Sequence, residues 1–222
     1  MSRVPSAAWF NVFPSPRIPD VMAYVSDTWN TLRAAYPAAV SFTKSEPDLT
    51  DNLCEALADQ DRRLLWRMDC DFQAETWELR RATDGTTNRI ARADIRVILG
   101  APGTPHFVLE FKKLDGSASM RWRYCHDGLN RFVEGKYAVG HEYGAMCAFT
   151  PTPAIEGPAM ATYLSQPTRA AALGCVTASG AAAVMSPSVT DPASSSFDSV
   201  HQRPLQPQSP MIRIVHAFFE CL

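Results

Sequence analysis

The sequence predicts a mixed α/β fold, a central sheet flanked by helices, on three observations. Residues 92–114, RADIRVILGAPGTPHFVLEFKKL, hold two runs that alternate apolar and polar residues on either side of a Gly- and Pro-rich turn. That period of two is the mark of a β-hairpin. Segments with apolar residues at helical spacing precede and follow the hairpin. Two largely apolar runs, at 145–150 and 211–219, have the composition of buried strands.

In chain order, residues 1–18 show no period. Pro19 and Asp20 suit a first helical turn, followed by Val21, Val25, Trp29, Leu32 and Tyr36, and Pro37 ends the run. Residues 1–44 are therefore expected to be an N-terminal extension with one helix packed on the core. Ser45 is the expected cap of a second helix, with acids in its first turn and Leu49, Leu53, Ala56 and Leu57 as its apolar stripe. Glu46 lies near that stripe and Glu55 on the opposite side.

Residues 64–79 read as one long strand, or a strand with a bulge, and residues 82–88, ATDGTTN, as a turn. The hairpin then completes three antiparallel strands. A helix is expected from about Met120 to Val139, burying Cys125, Leu129, Phe132, Val133 and Tyr137. Gly128 and Gly135 inside it imply close approach by a neighbour. Ala145–Thr150 reads as a buried strand, and Ile155, Ala159 and Tyr163 as one more helix. The resulting order is α-β-β-β-α-β-α over residues 45–165. Residues 166–210 are rich in Ala, Ser, Pro and Gln with four charges, and read as a mobile, low-complexity connection. Residues 211–222 return to a late C-terminal strand, in which His216 reads as a core or rim residue.

At 222 residues the chain is long enough for one domain with a substantial core. The net charge of −2 excludes a uniformly basic polyanion binder, but the distribution is uneven. Residues 77–136 carry 11 Lys/Arg against 7 Asp/Glu, whereas residues 1–76 carry 7 against 11 and residues 137–222 carry 3 against 5. A basic middle zone suits a phosphate-bearing substrate. The six cysteines have no CxxC spacing, which argues against a structural zinc site and a disulfide framework. No signal-peptide pattern and no membrane-length apolar run is present, so a cytoplasmic location is the default expectation.

Within the hairpin, Ile95, Val97 and Leu99 share one face, as do Phe107, Leu109 and Phe111. A loop at Gly100–Thr104 would pair Leu99 with Pro105 and therefore set Asp94 opposite Glu110. Carboxylates facing each other across a ladder repel, and a hard divalent cation between them relieves the repulsion. Lys112 points to the same spot. Asp69 and Asp71 form a rival pair on one strand face, and Glu134-Gly135-Lys136 repeats the acid-x-Lys spacing in a helical setting where i and i+2 do not face each other.

Asp94 followed by Glu110-Phe111-Lys112 resembles the D…(D/E)xK signature of the PD-(D/E)xK nuclease superfamily, with Ala93 where the superfamily has proline. The resemblance covers roughly residues 45–165, by arrangement more than by residue identity. It implies a restriction-endonuclease-like core and a metal-dependent nuclease acting on DNA or, less often, RNA. Asp94 and Glu110 would bind Mg²⁺ or Mn²⁺, Glu46 would supply a third acid from the preceding helix, and Lys112 would position water or stabilise charge. Arg131 and Lys136 are implied near the scissile phosphate, with Arg96 and Lys113 as further nucleic-acid contacts and Tyr124 as a weaker one. The setting this suggests is bacterial defence or a toxin, with a homo-oligomer or a partner protein for targeting. The competing readings are a non-catalytic nucleic-acid-binding or scaffold module, and a cysteine hydrolase using Cys125 or Cys147 with His126 or His141.

Overall fold

In the computed structural model the described residues are 13–81, 87–99, 106–207 and 209–222, with 75–91 described by backbone alone. Strands β1 (Cys70–Arg81), β2 (Thr87–Leu99) and β3 (His106–Lys113) form an antiparallel meander. The chain then crosses over to β4 (Tyr143–Thr150), which lies parallel to β3, and the late strand β7 (Met211–Glu220) lies parallel to β4. Strand β6 (Phe197–Gln202) pairs antiparallel with β7, and the two-residue β5 (Val184–Met185) with β6. One seven-stranded mixed sheet results, in the order β1-β2-β3-β4-β7-β6-β5.

Helices α1 (Ile18–Ala35) and α2 (Glu46–Leu57) cover one face of this sheet. Their Val21, Tyr24, Trp29 and Leu53 pack with Ile95, Phe107, Phe111, Phe149 and Phe219, all buried. The opposite face is covered by the β3–β4 crossover and by α6 (Pro153–Leu164) and α7 (Pro167–Ala172), through Tyr124, Leu129, Phe132, Met160 and Leu164 against Val108, Met146 and Ile214. The central strands are thus buried on both sides, as parallel strands with crossover helices require. No helix among the described residues is long and apolar enough to cross a membrane.

The helix expected to pack on the core from the N-terminal segment is α1: Val21, Tyr24, Val25 and Trp29 have no exposure, and the Trp29 indole N–H donates to the Glu220 carbonyl at 2.8 Å. Each such buried aromatic or branched side chain contributes about 1.5–3 kcal/mol. The long strand expected at 64–79 starts only at Cys70, because Asp59 caps a short helix α3 (Gln60–Leu65) by accepting from the Arg62 N–H at 2.8 Å.

The helix expected over 120–139 is three pieces, α4 (Ala118–Arg123), a π-helical turn (Tyr124–Leu129) and α5 (Asn130–Val133). It stops at Gly135, whose φ of +70° is incompatible with a right-handed helix. Residues 82–86 and 100–105, where the two hairpin turns are expected, lie outside the described residues; Thr87 and Asn88 already belong to β2.

Residues 166–210, expected to be mostly a mobile connection, differ as well. Their described part supplies α7, β5 and β6 and a dense polar interior. The buried Asp198 carboxylate accepts from Ser188 Oγ (2.6 Å), the Val189 N–H (3.1 Å), the Thr190 N–H (2.9 Å) and Thr190 Oγ (2.8 Å). Low apolar content is offset here by hydrogen-bonded polar groups, which composition does not reveal.

Candidate functional site

The β2–β3 register runs from Ile98 opposite His106 to Ile95 opposite Leu109. One step further sets Asp94 opposite Glu110, and there backbone pairing gives way to a side-chain contact. The Phe111 N–H donates to Asp94 Oδ2 at 2.7 Å. Strand β3 meanwhile continues its pairing with β4, from Leu109 opposite Ala145 to Lys113 opposite Phe149. The two strands part at this point, and Asp94 fills the opening.

Glu110 is fully buried, where strand alternation alone suggested a polar, solvated face. The crossover helix covers it. The Lys112 ammonium donates to Glu110 Oε1 (3.0 Å), Glu46 Oε1 (2.9 Å) and the Phe111 carbonyl (2.6 Å). Arg131 Nη1 reaches Glu110 Oε1 at 3.3 Å and donates to the Tyr137 hydroxyl at 2.5 Å; that hydroxyl donates to the Arg92 carbonyl at 2.6 Å. Four of the expected residues, Asp94, Glu110, Lys112 and Glu46, therefore meet, and Arg131 joins them.

Local structure explains each placement. Ser45 and Asp48 form a reciprocal cap at the start of α2, so Glu46 sits in its first turn beside β3. Glu46 Oε2 also accepts the Lys113 N–H at 3.0 Å, tying α2 to the end of the strand. On the other side of Lys112, a Cβ on Gly128 would lie 2.6 Å from Met146 Cε and 3.5 Å from Lys112 Cγ. The close approach implied by this glycine is that of β4 and β3. The π turn changes the helical phase after residue 129, which lets Leu129 stay buried while Arg131 reaches the acids.

The electrostatics are unusual for an ion-paired acid. Burial first, and the Asp94 charge second, push the Glu110 carboxyl up to about 7, against the pull of Lys112. Burial also raises Asp94, again opposed by Lys112. Burial alone would lower the Lys112 ammonium, but Glu110, Asp94 and Glu46 outweigh it and hold the group above its usual value. Glu110 Oε2 is buried with no hydrogen-bond partner. An orphaned carboxylate oxygen beside a second carboxylate is a donor set that a hard cation fits. Among the described residues no group of three or more His, Cys, Asp or Glu side chains is gathered closely enough to hold a metal ion. Glu46, expected as a third metal acid, is instead engaged with Lys112 and Lys113.

The remaining expected residues lie elsewhere or serve other contacts. The Lys113 ammonium donates to the carbonyls of Phe42 (2.6 Å) and Lys44 (2.7 Å). Lys136 pairs with Glu134 at 2.6 Å, in the turn after α5. Arg96 is half-buried on β2, opposite Val108. The rival acids are taken up by ion pairs, Asp69 with Arg17 (2.5 Å) and Asp71 with Arg63 (2.8 Å).

Tyr124 and His216 belong to a buried chain across the sheet. His201 Nδ1–H donates to the Leu173 carbonyl (2.9 Å), so its Nε2 accepts from the Ser199 hydroxyl (2.6 Å). Ser199 Oγ then accepts from His216 Nε2–H (2.7 Å), and His216 Nδ1 accepts from the Tyr124 hydroxyl (2.8 Å). Burial lowers both histidines, His201 to about 4, so both are neutral core residues at pH 7. Burial pushes the Cys125 thiol up to about 12 and Cys147 well above its usual range, the reverse of what a thiolate nucleophile needs.

Arg121 was not singled out from the sequence, yet it makes a bidentate pair with buried Glu156 (3.1 and 2.9 Å), linking α4 to α6. Its only sequence signal is an Arg near the start of a helix. No family model, no curated protein and no solved structure matches this chain.

Proposed function

We propose that the chain is a metal-dependent nuclease with a restriction-endonuclease-like core, hydrolysing phosphodiester bonds of DNA or, less favoured, RNA. One observation carries this reading: Asp94 and Glu110 lie across the point where β2 and β3 part, with Lys112 between Glu110 and Glu46 and one buried Glu110 oxygen unpartnered. The topology agrees with it, three antiparallel strands leading by a helical crossover into parallel ones. Asp94 and Glu110 would hold Mg²⁺ or Mn²⁺, which when bound activates water and neutralises charge on the phosphate.

The chain's own groups do the rest. Lys112, charged at any ordinary pH, places a cation where negative charge grows on the phosphate oxygens. Glu46, Glu110 and the Phe111 carbonyl together hold the ammonium in place, so a substrate phosphate would take over one of these contacts. Arg131, anchored by Tyr137, presents a second positive group from the opposite wall. Lys112, with 14% of its side chain exposed, acts largely out of water, where electrostatic interactions are strong, whereas Arg131 at 39% stands at the solvent edge.

The test is incubation of the full chain with circular DNA, linear DNA and RNA, each with Mg²⁺ or Mn²⁺, beside Glu110→Ala. Metal-dependent cleavage by the wild type and none by the variant is the expected result. Equal cleavage by both overturns the assignment.

A second reading, a non-catalytic nucleic-acid-binding member of the same fold, is favoured by Lys112 itself, which already serves as counter-ion to Glu46 and Glu110. Nucleic-acid binding that survives EDTA, Asp94→Ala and Lys112→Ala, with no cleavage under any condition, selects it.

A further inference from the structure

The crossover that covers Lys112 has an outer side which the proposed chemistry does not use. There α4, the π turn, α6 and α7 enclose a cavity of about 250 Å³. Trp122 and His126, four residues apart, stack with ring centroids 4.3 Å apart and planes 15° from parallel. Across the cavity the Arg169 guanidinium lies 3.5 Å from the centre of the Tyr163 ring. Cys125 and Leu173, both buried, contribute apolar lining. Asn130 donates its amide N–H to Glu134 Oε1 at 2.8 Å, and no contact to its carbonyl oxygen is present among the described residues.

Several features set this cavity apart from a packing defect. Trp122 is 49% exposed, so part of its ring is open to a stacking partner from solvent. His126 is exposed as well, so the stacked pair stands at the cavity's open edge rather than in the core. The walls are flat and aromatic, one of them carries a fixed cation, and a polar edge is supplied by Asn130 and Arg169. A flat ring with hydrogen-bonding edges and an attached anion is complementary to all three. Nucleobases have that form: every base offers a π face for stacking, a polar edge, and a phosphate within reach of a guanidinium.

We infer that this cavity binds one unstacked nucleobase, sandwiched against Trp122, with Arg169 attracting its phosphate. Where that base belongs to a strand, the inference rests on the nuclease reading, and the cavity receives a base further along the strand held at Lys112. One helical crossover carries both sides: a Cβ on Gly128 would lie 3.5 Å from Lys112 Cγ on the inner side, while Trp122, His126 and Asn130 line the outer cavity. A free nucleotide presents the same chemistry, and the test separates the two sources.

The test uses the full chain in EDTA, with a short fluorescein-labelled oligodeoxythymidylate followed by anisotropy and with thymidine monophosphate as competitor. Trp122→Leu should weaken binding of the oligonucleotide about tenfold or more, the loss expected when one base loses its stacking partner. Trp122→Phe, which keeps a flat ring, should recover most of that loss. Circular dichroism and thermal melting check that both variants fold, as a half-exposed position allows. Competition by the mononucleotide identifies a free nucleotide as the ligand; oligonucleotide binding that it does not displace identifies a strand.

Binding unaltered in Trp122→Leu, or no binding of either probe by the wild type, overturns the inference. The assay reads affinity without metal, so a wild type that cleaves nothing yet loses affinity in Trp122→Leu sinks the nuclease reading and leaves the cavity standing. Cleavage that depends on Glu110, with affinity indifferent to Trp122, does the reverse.

Discussion

Glu110 concentrates the chemistry of this protein in one side chain. Its carboxyl is raised from 4.5 to about 7, so over that interval the folded chain keeps a proton that the unfolded chain has released. The contribution of Glu110 to stability is therefore fully present below about pH 4.5 and is lost as the pH rises through about 7, an effect of up to roughly 3 kcal/mol. Glu110→Gln should remove this decline, as measured by urea denaturation of both chains in EDTA at a series of pH values. His201, lowered to about 4, acts in the opposite sense across part of the same range, but it is common to both chains and drops out of the difference. On the same basis, a Mg²⁺ ion held as proposed by Asp94 and Glu110 would have to displace the Glu110 proton. Titration calorimetry should show metal affinity rising with pH up to and just beyond 7, with proton release in the lower half of that range. Asp94, Glu110 and Lys112 were legible from alternation and spacing alone, because strand geometry dictates which residues share a face. That Glu110 is buried rather than solvated was not, since burial depends on a helix beginning eight residues later, at Ala118.

The elements that carry these residues are positioned by short-range devices with measurable worth. Ser45→Ala removes the side-chain half of the α2 cap and should cost about 1 kcal/mol in chemical denaturation. Because Glu46 is in that first turn, the same variant should also loosen its hold on Lys112 and reduce any cleavage activity. Gly128→Leu places a side chain where Met146 and Lys112 already are, and overpacking of this kind costs about 1–3 kcal/mol. A larger loss of activity than of stability would show that the helix acts on Lys112 directly. The α2 cap was readable from Ser45-Glu46-Pro47-Asp48. The interruption of the crossover helix was not, because a π turn arises from packing against β4 and has no local signature in YCHDGL.

At the scale of the molecule, the segment of lowest apparent complexity proves to hold the site's far wall. Arg203, fully buried, donates to the carbonyls of Ala138, His141 and Tyr137, each at 3.1 Å. It thereby fixes the turn carrying Tyr137, which anchors Arg131 beside Glu110. Arg203→Leu would leave the Tyr137 carbonyl without its donor, while the Ala138 and His141 carbonyls keep the His141 N–H and the Ser209 hydroxyl, and should destabilise the fold by about 1–3 kcal/mol. It should also lower nucleic-acid affinity through Arg131. Limited proteolysis checks the wider claim: residues 184–202 should resist cleavage in the wild type and become susceptible in the variant.

Periodicity and spacing alone were enough for the α/β alternation, the hairpin pair Asp94 and Glu110, the lysine beside them and the late strand. Each is a local property, dictated by which residues a strand or helix turn sets side by side. Only the folded chain decided how deeply α1 is buried, that the described part of residues 166–210 is packed into the sheet, that Glu46 reaches Lys112 and that Arg131 reaches Glu110. Those outcomes depend on contacts between residues far apart in sequence, such as Arg203 with Tyr137 or Glu46 with Lys112, and on buried polar groups whose partners no composition or period can name.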